Sequence, residues 1–246
     1  MGIVDQRKGQ GAKVESERSQ PATAARILAA AQELALKRGF RGVTISAIAE
    51  KAMVGKGTVY LYWDTKEDLF ISLLGRSFLV IVDQLIEGIA SDSALVLPPQ
   101  LCLWLLKTSA QHPLVHALQM RDVDILGALA GDERTHSLVR KHGAAALLEV
   151  LLPIWRSHGL VTTAEDPSRQ AYALQLLTVG FVETTVRHSG PAATDEEWRE
   201  GVMADSITIL LGMGNISCSV AQATAKVVLE ALLAFRASLS ARIKNS

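Results

Sequence analysis

The sequence predicts an all-α protein, on three observations. Apolar residues recur at three- and four-residue spacing along most of the 246 residues, the period of a helix with one buried face. Capping residues and glycines stand where these stretches begin and end. No segment alternates with a two-residue period for long, and the β-rich stretch TVGFVETTV (178–186) sits among helical patterns and is read as helix by context.

Residues 1–21 are polar and offer little to bury, so they are expected to form a disordered tail ending near Pro21. Arg7, Lys8, Lys13 and Arg18 either stay solvated or graze a phosphate, and Asp5, Glu15 and Glu17 oppose the second option. The first helix should run from about Ala22 to Arg38, stop at Gly39, and bury Ile27, Leu28, Ala31 and Leu34, with Phe40 beyond. Thr44 then caps a short helix over 45–51, in which Ile45, Ile48 and Ala49 share a face. A turn at Ala52–Met53–Val54 leads into a second short helix, from about Lys56 to Tyr62, which Val59 and Trp63 point inward. Thr65 caps the next helix with Asp68 three residues on, and its apolar stripe Leu69, Phe70, Leu73, Leu74, Phe78, Ile81 and Leu85 carries it to about Ile89.

After a loop over 91–99, the segments 100–110, 112–130 and 132–159 read as three further helices, the last kinked by Pro153. A loop at 159–166 precedes two long helices, 168–188 and 195–211, and a final amphipathic helix spans 220–243.

The pair of short helices around 45–62 has the pattern of a helix-turn-helix. Lys56, Gly57, Thr58, Tyr60 and Tyr62 are expected on its outward side, where a cation and hydroxyls reach phosphates or base edges and a glycine leaves room for a groove wall. Lys66 stands at a helix start that favours a phosphate. With ARILAAAQELALKRGF, VTISAIAEKA, VGKGTVYLYW and TKEDLF in succession, the segment from Thr23 to Leu74 resembles the N-terminal domain of the tetracycline-repressor (TetR) family.

That resemblance implies a DNA-binding domain over 22–70 and a ligand-binding and dimerisation domain over 71–246. Its DNA contacts would fall on Thr44, Lys56, Gly57, Thr58, Tyr60, Tyr62 and Lys66, in a homodimer on a near-palindromic operator, released by a small-molecule effector. The ligand cavity would lie between helices four to eight, and the helices near 168–188 and 195–211 would pair with their copies. Two residues depart from the family's pattern: Met53 stands at the usual turn glycine and Gly55 at a serine-type cap. If the turn needs positive φ, Met53 costs roughly 1 kcal/mol against glycine.

In the later helices Gln119, Arg121, Asp122 and Asp124 interrupt an apolar stretch, which makes either a solvated face or a polar handle in a cavity. On the second reading a mainly apolar ligand would meet Trp104, Met120, Asp124, Trp155, Tyr172, Gln175, Phe181 and Glu183, though aromatics at helical spacing also serve as plain core.

Composition narrows the remaining classes. Residues 1–70 hold 11 Lys or Arg against 8 Asp or Glu, and the rest hold 14 against 17, so the +3 and −3 halves of a neutral chain lean as DNA binding requires. Two cysteines, Cys102 and Cys218, without metal-ligand spacing predict neither disulfide nor zinc and suit a reducing cytoplasm. Six histidines show no H-E-x-x-H, and neither G-x-S-x-G nor a P-loop is present, so no catalytic residue, metal or cofactor is expected. Neither a signal-type segment nor an apolar run of about 18 residues predicts a membrane. The alternative is an all-α carrier of hydrophobic molecules whose helix-turn-helix is vestigial.

Overall fold

In the computed structural model, residues 7–186 and 195–244 are described, with side chains over 22–185 and 195–243, and every regular element among them is helical. The helices are α1 (Arg7–Arg38), α2 (Ile45–Lys51), α3 (Lys56–Tyr60), α4 (Lys66–Ser91), α5 (Pro98–Gln111), α6 (Pro113–Gln119), α7 (Val123–Leu126), α8 (Glu133–His142), α9 (Ala144–Ser157), α10 (Pro167–Val186), α11 (Glu196–Leu211) and α12 (Cys218–Lys244). Short 3-10 turns occupy Ser93–Val96 and Gly127–Gly131.

Caps decide most of the starts. Thr44 accepts the Ala47 N–H, and Thr65 and Asp68 exchange both bonds of a capping box. The first helix begins at Arg7, well before the expected Ala22, and passes through Pro21. Two of the long expected helices are broken in two. Arg121, at φ +50, turns the chain between α6 and α7, and Gly143, with extended backbone, separates α8 from α9. In contrast, α9 runs on through Pro153, whose ring faces solvent.

Apolar faces assemble these helices around one continuous core. Ile27, Ala31, Ile48, Val59, Leu69 and Phe70 close the N-terminal helices on one another, and the Phe40 and Phe70 rings meet edge to face at 5.1 Å. Lower down, α4 packs along α12, with α5, α9, α10 and α11 around them. By length and mean hydropathy (1.8 and 1.4) α4 and α12 are apolar enough to cross a membrane, contrary to the expectation from the sequence. They lie against each other, and Leu85, Ile89, Val228 and Leu232 are fully enclosed in the core. α4 contributes to this core along its whole length, from Leu69 and Phe70 beside the N-terminal helices to Leu85 and Ile89.

Candidate nucleic-acid interface and ligand cavity

Ile45, Ile48, Ala49 and Val59 bury the facing sides of α2 and α3, which leaves the other side of the pair in solvent. The turn between them is made by Met53 at φ +53, its side chain 81% exposed, so the strained position inferred from the missing glycine is present. Thr44, Lys56, Gly57 and Tyr60 are exposed and Thr58 is half-buried. Thr44 uses its oxygen as a cap acceptor, so its hydroxyl proton remains available outward. The Lys56 ammonium lies 5.9 Å from the centroid of the Tyr60 ring. A Cβ placed on Gly57 would meet nothing within 4 Å.

Two expected contact residues are placed otherwise. Tyr62 lies beyond the end of α3, half-buried against the core with its ring 5.5 Å from that of Trp63. Lys66 turns inward: its ammonium donates to the carbonyls of Phe40 and Val43, both at 3.0 Å, and sits 3.9 Å from the Phe40 ring centroid. Two of its three N–H groups therefore hold the α1–α2 loop onto α4, a role its helix-start position did not signal. Leu61, which the sequence reading passed over, is 84% exposed directly beside Tyr60.

The residues singled out for ligand contact do not form one group. Trp155 is fully buried and donates its indole N–H to the Val96 carbonyl at 2.9 Å, so it is a core post. Asp124 lies at the junction with the N-terminal helices, where its carbonyl would be 2.2 Å from any Cβ on Gly39 and the neighbouring Ile125 carbonyl accepts the Phe40 N–H. Met120 caps α6, Trp104 packs half-buried on the core, and Tyr172 and Glu183 face out from α10. Of the eight, Gln175 borders the central cavity and Phe181 the spaces beside it. Helical spacing showed which faces were apolar, but not toward which neighbour each face turned.

The central cavity, about 240 Å³, lies between α4, α5, α6, α8, α9, α10 and α12. Phe78, Ile81, Leu105, Leu148 and Phe235 are among its apolar walls, and Ser109, Gln119, His142, Gln175 and Thr178 are its polar groups. No Asp, Glu, Lys or Arg lines it. His142, 7% exposed, packs edge-on to Phe235, its Nε2 is 3.3 Å from Ser238 Oγ, and its Nδ1 has no protein partner. Burial, with the Arg242 and Lys141 cations adding to it, holds this imidazole below its ordinary pKa. A second space of about 290 Å³ between α5, α6, α10 and α11 is bordered by the Lys107–Glu200 ion pair (2.6 Å).

α10 and α11 also form an open groove of about 860 Å³, lined by Leu176, Leu177, Phe181, Trp198, Val202 and Ile209 among others. Ile209 is 78% exposed, and Leu176, Val179, Trp198 and Val202 are exposed beside or near it. Leu174, Ile207 and Leu211 of the same two helices are buried inside the protomer. Among the described residues no three His, Cys, Asp or Glu side chains come together as a metal would require.

The sequence profile described as bacterial regulatory proteins, tetR family, matches residues 27–73. The chain is 27% identical over 157 residues to the transcriptional repressor NemR of Escherichia coli K12, covering 63% of this chain and 79% of NemR. It is 45% identical over 53 residues to the repressor KstR of Mycolicibacterium smegmatis, covering 22% of this chain and 26% of KstR. A match to a Lactococcus lactis regulator spans 59% of that protein's length. The crystal structure of reduced E. coli NemR superposes over 79% of this chain and 100% of its own, with a TM-score of 0.52 at 20% identity, which is a likeness of fold. With α1–α4 built as a helix-turn-helix and its supports, and with these matches centred on that segment, residues 27–73 form a DNA-binding domain of the kind that marks bacterial regulatory proteins of the tetR family.

Proposed function

We propose that this regulator is a cytoplasmic repressor that binds a near-palindromic operator as a homodimer and lets it go when a small, mainly apolar molecule fills the central cavity. Residues 22–70 serve as the DNA-binding unit, and residues 71–246 as the ligand-binding and dimerisation unit. The observation that carries the reading is the outward face of the turn and α3, where Thr44, Lys56, Gly57, Thr58 and Tyr60 are presented together on a buried, well-packed support. Thr58, Tyr60 and Gly57 are suited to base edges, and Thr44 and Lys56 to phosphates. Tyr62 can add its hydroxyl at the margin, and Lys66 only its one uncommitted N–H.

Dimerisation is supported by the apolar side chains left exposed along the groove of α10 and α11, among them Leu176, Trp198, Val202 and Ile209. A two-fold pair of recognition helices then fits two half-sites about one helical turn apart. The names of NemR and KstR, both repressors, favour repression over activation. Release follows if the ligand prefers the arrangement with wrongly spaced helices, to the extent of that preference.

Selection of bound sequences from random duplex DNA tests this reading. It should return an inverted repeat, and Lys56→Ala should weaken binding to all duplexes alike while lowering the salt slope by about 1 per protomer. Recovery of no sequence preference refutes it.

A further inference from the structure

The short helix α8 touches both ends of the proposed switch. Its buried face, Thr135, Leu138 and His142, looks into the protein, and its last residue, His142, borders the central cavity with an unpartnered Nδ1. At its first turn Arg134 forks onto the cap residue Asp132, with Nε at 3.1 Å and a terminal nitrogen at 2.7 Å, and reaches across to Asp68. Asp68 is the carboxylate that closes the capping box of α4, beside Thr65 and next to Lys66, the clip on the α1–α2 loop. One ten-residue helix thus spans about 15 Å between cavity wall and DNA-binding unit.

We infer that α8 reads the cavity: His142 is the hydrogen-bonding anchor for a small uncharged apolar molecule carrying one hydroxyl or carbonyl oxygen, and Arg134 passes the resulting shift of α8 to Asp68. This rests on the ligand-switch reading above and adds to it the ligand's chemical class, its anchor and its route to the DNA.

The ligand is uncharged because no ionised side chain lines the cavity, so an ion drawn in from water would find no direct ion-pair partner there to offset its desolvation. It is small because about 240 Å³ lies below the usual range for drug-sized ligands. It carries one oxygen because the imidazole offers one unused nitrogen, which accepts from a hydroxyl in one tautomer or donates to a carbonyl in the other, and the Ser238 hydroxyl can partner Nε2 in either. Ser109, Gln119, Gln175 and Thr178 are neutral and tolerate either. Filling the cavity presses on the residue that ends α8, and a packed helix moves as a body, so the displacement arrives at Arg134. The α8 turn and the α6–α7 segment are both seated against the N-terminal helices, so that movement is felt where Phe40 and Asp68 sit.

The test uses three matched probes, 2-naphthol, 2-methylnaphthalene and 2-naphthoate, titrated calorimetrically into the full-length protein and into His142→Phe and His142→Asn. The native protein should bind 2-naphthol at least tenfold more tightly than either other probe. His142→Phe should bind 2-naphthol and 2-methylnaphthalene alike, and His142→Asn, which retains a hydrogen-bonding atom near Nδ1, should recover part of the preference. Absence of 2-naphthol binding, tighter binding of the anion, or an undiminished preference in His142→Phe overturns the anchor. On the duplex recovered by selection, 2-naphthol should lower the native protein's affinity, and Arg134→Gln should bind the probe equally well yet lose most of that response. A full response in Arg134→Gln overturns the relay. If no duplex is selected at all, the regulator reading falls and the relay with it, while the calorimetry still decides whether His142 anchors a neutral oxygen.

Discussion

Gly57→Ala should raise the stability of this protein and weaken its hold on DNA, two opposite effects of one methyl group. Gly57 is the second residue of α3, a helix of five, and a glycine in such a place costs roughly 0.5–1 kcal/mol relative to alanine through unfolded-state entropy. Its φ is not in the left-handed region, and a Cβ built there meets nothing within 4 Å, so the protein itself gives no reason to forgo alanine. The variant should therefore gain up to about 1 kcal/mol, a rise of about 2–4 °C in melting temperature for a chain of this size. If the open side of α3 faces the wall of a groove, the added methyl occupies the closest approach in both half-sites, and a loss of about 1.4 kcal/mol or more, tenfold in affinity, is expected. Calorimetric melts and gel shifts on the selected duplex read the two effects separately. A stabilised variant with unchanged DNA affinity removes Gly57 from the interface, and a destabilised one refutes the account of its surroundings.

Other perturbations follow from the same geometry. Lys66→Met should destabilise the N-terminal unit by roughly 2–3 kcal/mol, since it removes two charge-assisted hydrogen bonds and a cation–π contact, and its thermal loss should exceed any change in salt slope; a melt unchanged from the native one refutes the clip. Met53→Gly should stabilise by up to about 1 kcal/mol, because φ +53 strains a side chain that is itself exposed and buries little; a lower melting temperature counts against it. Ile209→Glu should leave the protomer folded but make it monomeric in sedimentation, with operator affinity lost; a native protein that is already monomeric at micromolar concentration defeats this expectation. For His142 the folded pKa is depressed, so the unfolded chain takes up a proton that the folded one refuses. Its contribution to stability is whole above the unfolded value of about 6.5 and is lost as pH falls through it. His142→Phe should accordingly flatten part of the decline in melting temperature between about pH 7 and pH 5.5, with His112, also depressed by burial, supplying some of the remainder.

What was legible in the sequence is what neighbours along the chain decide. Thr44, the Thr65–Asp68 pair and Gly39 fix helix ends through bonds that span three or four residues, and each end falls where its cap stands. Met53 was readable for the same reason, since a turn of this kind demands a φ that only a few residues tolerate cheaply. The ends that were misplaced carry signals of the same local kind that are easily passed over. Pro21 is compatible with a helix start but does not enforce one, the break at Arg121 is followed by Asp122, which caps α7 by accepting the Asp124 and Ile125 N–H groups, and the other break falls at Gly143. Side-chain direction was legible only as far as one helix face. Trp155 and Tyr172 both looked like wall residues, yet one found the Val96 carbonyl across 59 positions and the other found water.

The same limit explains why the cation at 66 was misplaced and the imidazole at 142 was overlooked. Lys66 sits at a helix N-terminus, an address that suggests an anion, but the carbonyls of Phe40 and Val43 are 26 and 23 residues away in sequence and compete for it at 3.0 Å. Two fixed dipoles and an aromatic face already in place outbid a phosphate that must be brought from solution, so the ammonium is structural before it is anything else. His142 ends a charged run, Arg140–Lys141–His142, whose first two members face water as such runs usually do. The helix turns about 100° per residue, and that rotation alone carries the third member from solvent into an apolar cavity. A polar group left there without a partner is costly in the empty protein, and that unmet demand is what makes His142, rather than the more conspicuous aromatics, the residue around which a ligand's oxygen would be placed.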